Sequence, residues 1–418
     1  MSSLSFETCG LSNNLLQSVK YAGYQEPTPI QSQSIPIILK GMDVIAEAKT
    51  GTGKTAAYIL PLLQLLQDCN LQKPKTIKTL ILTPTRELAM QVNSALKNYG
   101  RQLTVPVKTL LFVGGMNIDV QLRGLAHGTD IVVATPGRLL DVVRRKPVNF
   151  DSLKHFVIDE ADKMFDFGFA QEFASVLKLL PQKRQNLLFS ATIDDKVRDL
   201  AASFMPTSLH IKIDDDTPTV ERIHQRVIEV NRTNRGPLLR HLIQTEKWEH
   251  VLVFIASVRA ADILAAKLNK AHINTQAFHG GLTQARRTHV LGQFKNKRYN
   301  VMVATDLAAR GIDIDQLPYV VNYDLPRSPD VYIHRIGRTA RAGATGAAIT
   351  FIGHEDQAHF SLIEKRARMR LPRESVEGFE LTGAPHPVVQ GKAPVKGKRL
   401  SKKDKARAAA KKLGDKKA

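Results

Sequence analysis

The sequence predicts an α/β protein of two consecutive doubly wound, mostly parallel sheets, followed by a disordered basic C-terminal tail. Three observations predict it. Short apolar runs alternate with helix-period segments along most of the chain, the pattern of strand–helix–strand units that pack helices on both faces of a sheet. The alternation pauses at a polar stretch, 214–219, that reads as an interdomain linker, and then restarts. From about Leu371 it dissolves into proline-punctuated and then lysine-rich sequence. The expected bounds are therefore 1–213, a linker at 214–219, 220–370, and a tail at 371–418.

In chain order, the first strand-like run, 43–46, leads into Ala48-Lys49-Thr50-Gly51-Thr52-Gly53-Lys54-Thr55 and a helical stretch at 56–66. Strand, glycine-rich turn and helix together are the context of a phosphate loop. Gly51 and Gly53 let backbone amides turn inward, and the helix N-terminus adds partial positive charge. Lys54 would reach the β- and γ-phosphates and Thr55 would ligate Mg²⁺. Ala48 stands where the strict pattern has glycine. Strand-like runs follow at 79–82, 107–113, 131–134, 156–158 and 187–189, with helical segments such as 86–98 and 137–145 between them. The run 156–158 drives into Asp159-Glu160-Ala161-Asp162. A buried strand that ends in acid suits a metal ligand, Asp159, and a residue that orients water against a γ-phosphate, Glu160. Past the linker, runs recur at 251–255, 275–278, 301–304, 319–322 and 347–352, without a second phosphate loop. Two similar halves with one such loop imply one nucleotide sandwiched between them.

Composition narrows the partners. The chain has 418 residues, 43% hydrophobic, with a formal charge of +21. Residues 391–418 hold twelve Lys/Arg against two Asp, so about half the excess lies in the tail and the body is still basic. Such a balance favours a polyanion, nucleic acid above all. Two cysteines, Cys9 and Cys69, make neither a disulfide framework nor a metal spacing, which suits a reducing, cytoplasmic setting. The first residues lack a basic and apolar leader, and no run approaches 18 apolar residues, so no membrane span is expected.

The remaining motifs occur in a fixed order. Gly23-Tyr24-Gln25-Glu26-Pro27-Thr28-Pro29-Ile30-Gln31 precedes the phosphate loop. After it come Pro84-Thr85-Arg86-Glu87-Leu88-Ala89, Gly114-Gly115, Thr135-Pro136-Gly137-Arg138, the acidic run and Ser190-Ala191-Thr192. The second half carries Gln284-x-x-Arg287, Ala304-Thr305-Asp306, Ala309-Arg310-Gly311-Ile312-Asp313 and His334-Arg335-Ile336-Gly337-Arg338-Thr339-Ala340-Arg341. This set, over about residues 4 to 355, resembles the DEAD-box ATP-dependent RNA helicases, most nearly the bacterial RhlE-type branch.

The resemblance implies two tandem RecA-like domains, an RNA-dependent ATPase activity and local unwinding of short RNA duplexes or remodelling of RNA–protein complexes. It implies that Gln31 reads adenine, with Tyr24 stacking on the ring and Thr28 supporting the loop, and that 48–55 cradle the phosphates of ATP. Thr55 and Asp159 would hold Mg²⁺ and Glu160 would position water. Ser190 and Thr192 would link the Asp159–Asp162 loop to the RNA side. From the second half, Asp313 would touch the ribose, Arg338 and Arg341 would approach the γ-phosphate, and His334 would couple to the metal loop. RNA backbone contacts would fall to Arg86, Gly115, Thr135, Arg138, Gly281, Arg287 and Thr305. Ala342 stands where some members stack an aromatic on the second face of adenine, so base affinity would lean on Tyr24 and Gln31. The expected partner is structured or duplex RNA read without much sequence preference, for example in ribosome precursors or the RNA decay machinery, and the expected state a monomer. Two other readings stay open: a non-unwinding ATP-gated RNA clamp, against which Glu160, Arg338 and Arg341 argue for turnover, and a DNA helicase or translocase, against which Gln31 and the acidic loop argue.

Overall fold

The structure, a computed structural model, describes residues 5–49, 51–68, 75–166, 168–213, 223–309, 314, 317–339, 346–367 and 369–383. The linker, the lysine-rich end, Thr50, Asp313 and Arg341 lie outside the described residues.

The first sheet contains β1 (Val44–Glu47), β2 (Thr79–Leu82), β3 (Thr109–Phe112), β4 (Ile131–Ala134), β5 (His155–Asp159), β6 (Gln185–Ser190) and β7 (Leu209–Lys212). The second contains β8 (Ile223–Glu229), β9 (Val251–Ile255), β10 (Thr275–Phe278), β11 (Val301–Thr305), β12 (Tyr319–Asn322), β13 (Gly346–Ile352) and β14 (Arg373–Glu374). Their orders are β3-β4-β2-β5-β6-β1-β7 and β10-β11-β9-β12-β13-β8-β14, the same permutation twice. All described pairings are parallel. The fold is thus a tandem of RecA-like sheets, as the alternation predicts.

Side chains alternate across each sheet, as strand geometry requires. Val157 packs on one face with Val133 and Leu187. Its neighbours Phe156 and Ile158 pack on the other with Val132 and Leu188. Central strands buried on both faces read as unbroken apolar runs, which is why β2, β4, β5 and β6 are legible. Four helices position the first half's site: α1 (Asn13–Tyr21), α2 (Pro29–Leu39), α3 (Lys54–Asp68) and α4 (Arg86–Tyr99). No helix among the described residues is long and apolar enough to cross a membrane.

The ordered chain continues past the expected boundary at 370. Arg373 and Glu374 pair with Val227 and Ile228 as a seventh strand. Arg226 Nε bonds Glu374 at 2.9 Å, Asn231 Nδ2 bonds Thr382 Oγ1 at 2.7 Å, and Phe379 lies 5.3 Å from the His241 ring. Residues 371–383 therefore pack on the second sheet and are not part of an unfolded tail.

Candidate active site

In parallel sheets of this kind, function collects at the carboxyl ends of the strands. Here the strand order separates two tasks. The ends of β1, β5 and β6, neighbours in the sheet, bring together the phosphate loop, Asp159 and Ser190. The ends of β2, β3 and β4, also neighbours, bring together Arg86, Gly115, Thr135 and Arg138.

On the first side, α3 begins at Lys54, so its free amides face the glycine-rich turn. Gly51 and Gly53 have φ of 85° and 91°, which side chains with a Cβ adopt at a cost. A Cβ on Gly53 would also meet Gln31 Nε2. Thr52 Oγ1 donates to the Lys49 carbonyl at 2.7 Å and Lys54 Nζ to the Ala48 carbonyl at 2.5 Å, so the turn is closed on itself. Burial pushes the Lys54 ammonium below its usual range, against the opposing pull of Asp159 and Glu160.

Asp159 ends β5 and is buried, and burial followed by Glu160's charge raises its carboxyl to about 6. Tyr58, one turn into α3, donates its hydroxyl to Asp159 Oδ2 at 2.7 Å. Glu160 stands in the left-handed region at φ 54°, a strained conformation for a residue with a Cβ and a common mark of functional positions. Burial alone would raise its carboxyl. Lys163, 2.6 Å away, together with Lys54 and Arg338, outweighs burial and holds it below the usual carboxylate range. Glu160 Oε2 has no hydrogen-bond partner among the described residues. Ser190 Oγ lies 2.7 Å from both Asp162 Oδ1 and the Thr192 carbonyl, which ties the acidic loop to the end of β6.

Gln31 is more committed than the sequence suggests. Its Oε1 accepts from the Thr28 amide at 3.0 Å and its Nε2 donates to the Gly53 carbonyl at 3.2 Å, and it is buried. An amide has one further lone pair and one further N–H, so it reads a base only by sharing or exchanging these bonds. Tyr24 is 43% exposed, its hydroxyl 3.2 Å from that of Tyr99, so its ring is open to stacking.

On the second side, Arg86 opens α4 and its guanidinium covers the Gly114-Gly115 turn. A Cβ on Gly115, at φ 78°, would lie 2.6 Å from Arg86 Nη1. Arg138 Nε donates to the Val113 carbonyl at 3.0 Å and its Nη2 to the Met116 carbonyl. Arg138 thus bonds the residues on either side of the glycine turn, and the Arg86 guanidinium lies against it.

Sequence-predicted residues of the second half divide. Arg338 is buried, and its positive charge, from the second half, bears on Glu160 in the first. His334 is exposed on the last turn of the helix Pro329–Ile336. Thr305 ends β11, and the Gly281 amide donates to His279 Nδ1 at 3.2 Å. Arg287 is buried between the halves: Nε meets Glu87 Oε1 at 2.6 Å and the guanidinium lies 4.6 Å from the Phe278 ring centroid. Gln284 Nε2 donates to the same Glu87 oxygen at 3.2 Å. This geometry gives no support to an RNA phosphate contact by Arg287. It makes Glu87, Gln284 and Arg287 a seam that joins the halves.

Sequence reasoning missed Tyr58, Glu87 as Arg287's partner, Lys163 and Arg335. Tyr58 had a usable signal: it follows Lys54 and Thr55 by four and three residues, which puts all three on one helix face. Arg335, 2% exposed, grips the Asp306 carboxylate with Nε at 2.6 Å and Nη2 at 2.7 Å and lies over Phe254.

No group of three or more His, Cys, Asp or Glu side chains arranged for a metal occurs among the described residues. Thr55 and Asp159 with an unbonded Glu160 oxygen nearby fit instead a hard cation that takes most of its ligands from phosphates and water.

Fold and site together define a two-lobed enzyme with a phosphate loop and an acidic pair at the strand ends of its first lobe, and two arginines at the neighbouring strand ends. Residues 28–200 match the family description DEAD/DEAH box helicase, and residues 235–343 match the helicase conserved C-terminal domain. The DEAD-box ATP-dependent RNA helicase CshA of Bacillus cereus is 39% identical over 368 residues, 88% of this chain and 69% of that one. Among solved structures, Saccharomyces cerevisiae Dbp5 bound to RNA and ADP BeF3 is 30% identical, with a TM-score of 0.77, covering 89% of this chain and 96% of that one. Mss116p bound to ssRNA and AMP-PNP is 29% identical, with a TM-score of 0.79, covering 89% and 78%. This chain belongs to the DEAD-box ATP-dependent RNA helicases. The RhlE-type branch is a finer assignment than these relatives carry.

Proposed function

We propose that this helicase binds ATP on its first half and RNA across the ends of β2, β3 and β4, and hydrolyses ATP only when the second half closes over both. The observation that carries this reading is that the halves meet at Glu87 and Arg287, 2.6 Å apart, and that in this arrangement the charge of Arg338, in one half, bears on Glu160, in the other. A cation supplied across a gap makes turnover conditional on closure, and whatever favours closure stimulates it. On closure ATP would also meet Arg338, and RNA would also meet Gly281 and Thr305, so each favours the closed state.

Within the site, 48–55 cradle the phosphates, Lys54 neutralises charge on them, and Glu160 orients the attacking water. Thr55 and Asp159 would hold Mg²⁺, which supplies further neutralisation on the phosphate oxygens. Arg341 and Asp313 are assigned by their motifs to the γ-phosphate and the ribose. The groove reads phosphate and sugar rather than base identity, because the groups offered there are guanidinium and glycine-turn backbone. Structured or duplex RNA, in ribosome precursors or decay intermediates, is the substrate class this suits, in the cytoplasm and with the protein acting as a monomer.

Strand displacement from a short RNA duplex, measured with ATP, without nucleotide and with a non-hydrolysable analogue, tests the reading. Displacement with ATP and RNA-stimulated ATPase are expected together. Equal ATPase rates with and without RNA would refute the closure scheme.

A further inference from the structure

We propose that Tyr58 is a positioning residue for Asp159: its hydroxyl sets the carboxylate rotamer by holding Oδ2, and so leaves Oδ1 presented for the nucleotide-bound divalent cation. The proposal rests on the reading above that Asp159 is the cation's protein ligand.

The geometry is local and closed on all sides. The Tyr58 ring is fully buried and packs against Phe189 at 5.1 Å between centroids. Phe189 is the register partner of Asp159 across β5–β6 and of Ala46 across β6–β1. The ring therefore rests on the strand that joins the acid to the phosphate loop. From this fixed ring the hydroxyl reaches Asp159 Oδ2 at 2.7 Å. Thr55 lies three residues before Tyr58 on the same face of α3. Tyr58 thus bonds one side chain assigned to the cation, on the sheet, and shares a helix face with the other.

The surroundings make the hydroxyl the informative atom. Ala56, Ala57, Ile59 and Leu60, the flanking residues of α3, are all buried and apolar. Phenylalanine would fill the same space, and only the hydroxyl distinguishes the two. A neutral donor to a buried carboxylate gives a short, charge-assisted bond. An unheld carboxylate loses rotamer freedom each time it takes up a cation, whereas one already held does not. Partners that orient a ligating group characteristically tune affinity for the metal rather than the chemical step.

The test uses the full chain and the variant Tyr58→Phe. Three quantities are measured: affinity for a fluorescent ADP analogue with Mg²⁺ and with EDTA, half-saturating Mg²⁺ in RNA-stimulated ATPase, and the melting temperature. Loss of one hydrogen bond predicts about a three- to tenfold rise in half-saturating Mg²⁺ and an equal loss of the Mg²⁺-dependent part of ADP affinity. Affinity in EDTA and kcat at saturating Mg²⁺ should stay within about twofold. A lower melting temperature with unchanged half-saturating Mg²⁺ would mean the hydroxyl is merely satisfied by its neighbours, and the proposal is overturned. An equal loss in EDTA would place its action on the phosphate loop and would overturn the proposal as well. Asp159→Asn separates the two readings: it should abolish the Mg²⁺-dependent part of ADP affinity. Its persistence would remove Asp159 as the ligand, whatever Tyr58→Phe does.

Discussion

The two halves share one strand order, yet they treat their acids in opposite ways. In the second half, Asp306 and Asp324 lie just beyond the ends of β11 and β12, and both are met by arginines of the same half: Arg335 holds Asp306, and Arg235 Nη1 bonds Asp324 Oδ1 at 3.1 Å. In the first half, Asp159 and Glu160 stand at the end of β5 with lysines and a tyrosine around them, and the arginine that bears on Glu160 comes from the other half. One copy of the fold is electrically complete. The other is complete only in company. The same topology can therefore serve as a finished part or as an unfinished site, and the side chains at four or five strand ends decide which.

Removing the shared arginine attacks this contrast most directly. Arg338→Ala should lower RNA-stimulated turnover by a factor on the order of 10³ while leaving ATP binding to the first half nearly intact. A near-wild-type rate would show that the first half's acids need no help. Removing an internal arginine should act differently. Arg335→Leu leaves Asp306 unpaired, and because Asp306 is part-exposed the cost should be about 3 kcal/mol, read by chemical denaturation as an earlier transition of the second half. A loss of turnover without a loss of stability would contradict the contrast between a finished half and an unfinished one.

A third prediction concerns His155 at the start of β5. Burial pushes its imidazole down from 6.5 to about 4, against a bond of 3.0 Å to Gln185 Oε1. A depressed value means stability that is present above pH 6.5 and is lost as pH falls toward 4. Asp159, raised from 3.8 to about 6, has the opposite sign: its contribution is lost as pH rises through that window. In the difference between His155→Gln and wild type the Asp159 part cancels. The variant should therefore gain about 2–3 kcal/mol relative to wild type between pH 7 and pH 4. A difference that does not change with pH would mean the imidazole is not held neutral. The smallest effect is expected at the seam: Glu87→Gln should raise the RNA concentration for half-maximal ATPase by roughly tenfold, with the saturated rate unchanged. An unaltered RNA dependence would mean that the charge on Glu87 does not help to bring the halves together.

How much of this was legible follows from where information sits in a sequence. Central strands announce themselves, because burial on both faces demands unbroken apolar runs; β2, β4, β9 and β12 fall on the expected residues. Strands nearer the margins do not: β7 exposes three of its four residues and β8 interleaves His224, Gln225 and Arg226 with apolar positions. The phosphate loop was legible because its chemistry is contiguous. Asp159 and Ser190 were legible because strand ends are. The environments of Gln31 and Arg287 were not, since each depends on a neighbour brought in by the fold: the Gly53 carbonyl 22 residues away, and Glu87 200 residues away.

The short β14 bears on anyone who would trim this chain. A cut after Arg370 would follow the motif-based domain bound and look safe. It would strip the cover from Val227 and Ile228 on β8 and remove the Glu374 carboxylate, which Arg226 bonds together with that of Glu246. An opened row of amides beside apolar side chains is a template on which another molecule can add a strand. Material cut there should turn cloudy on standing or on warming, and material cut after residue 383 should stay clear.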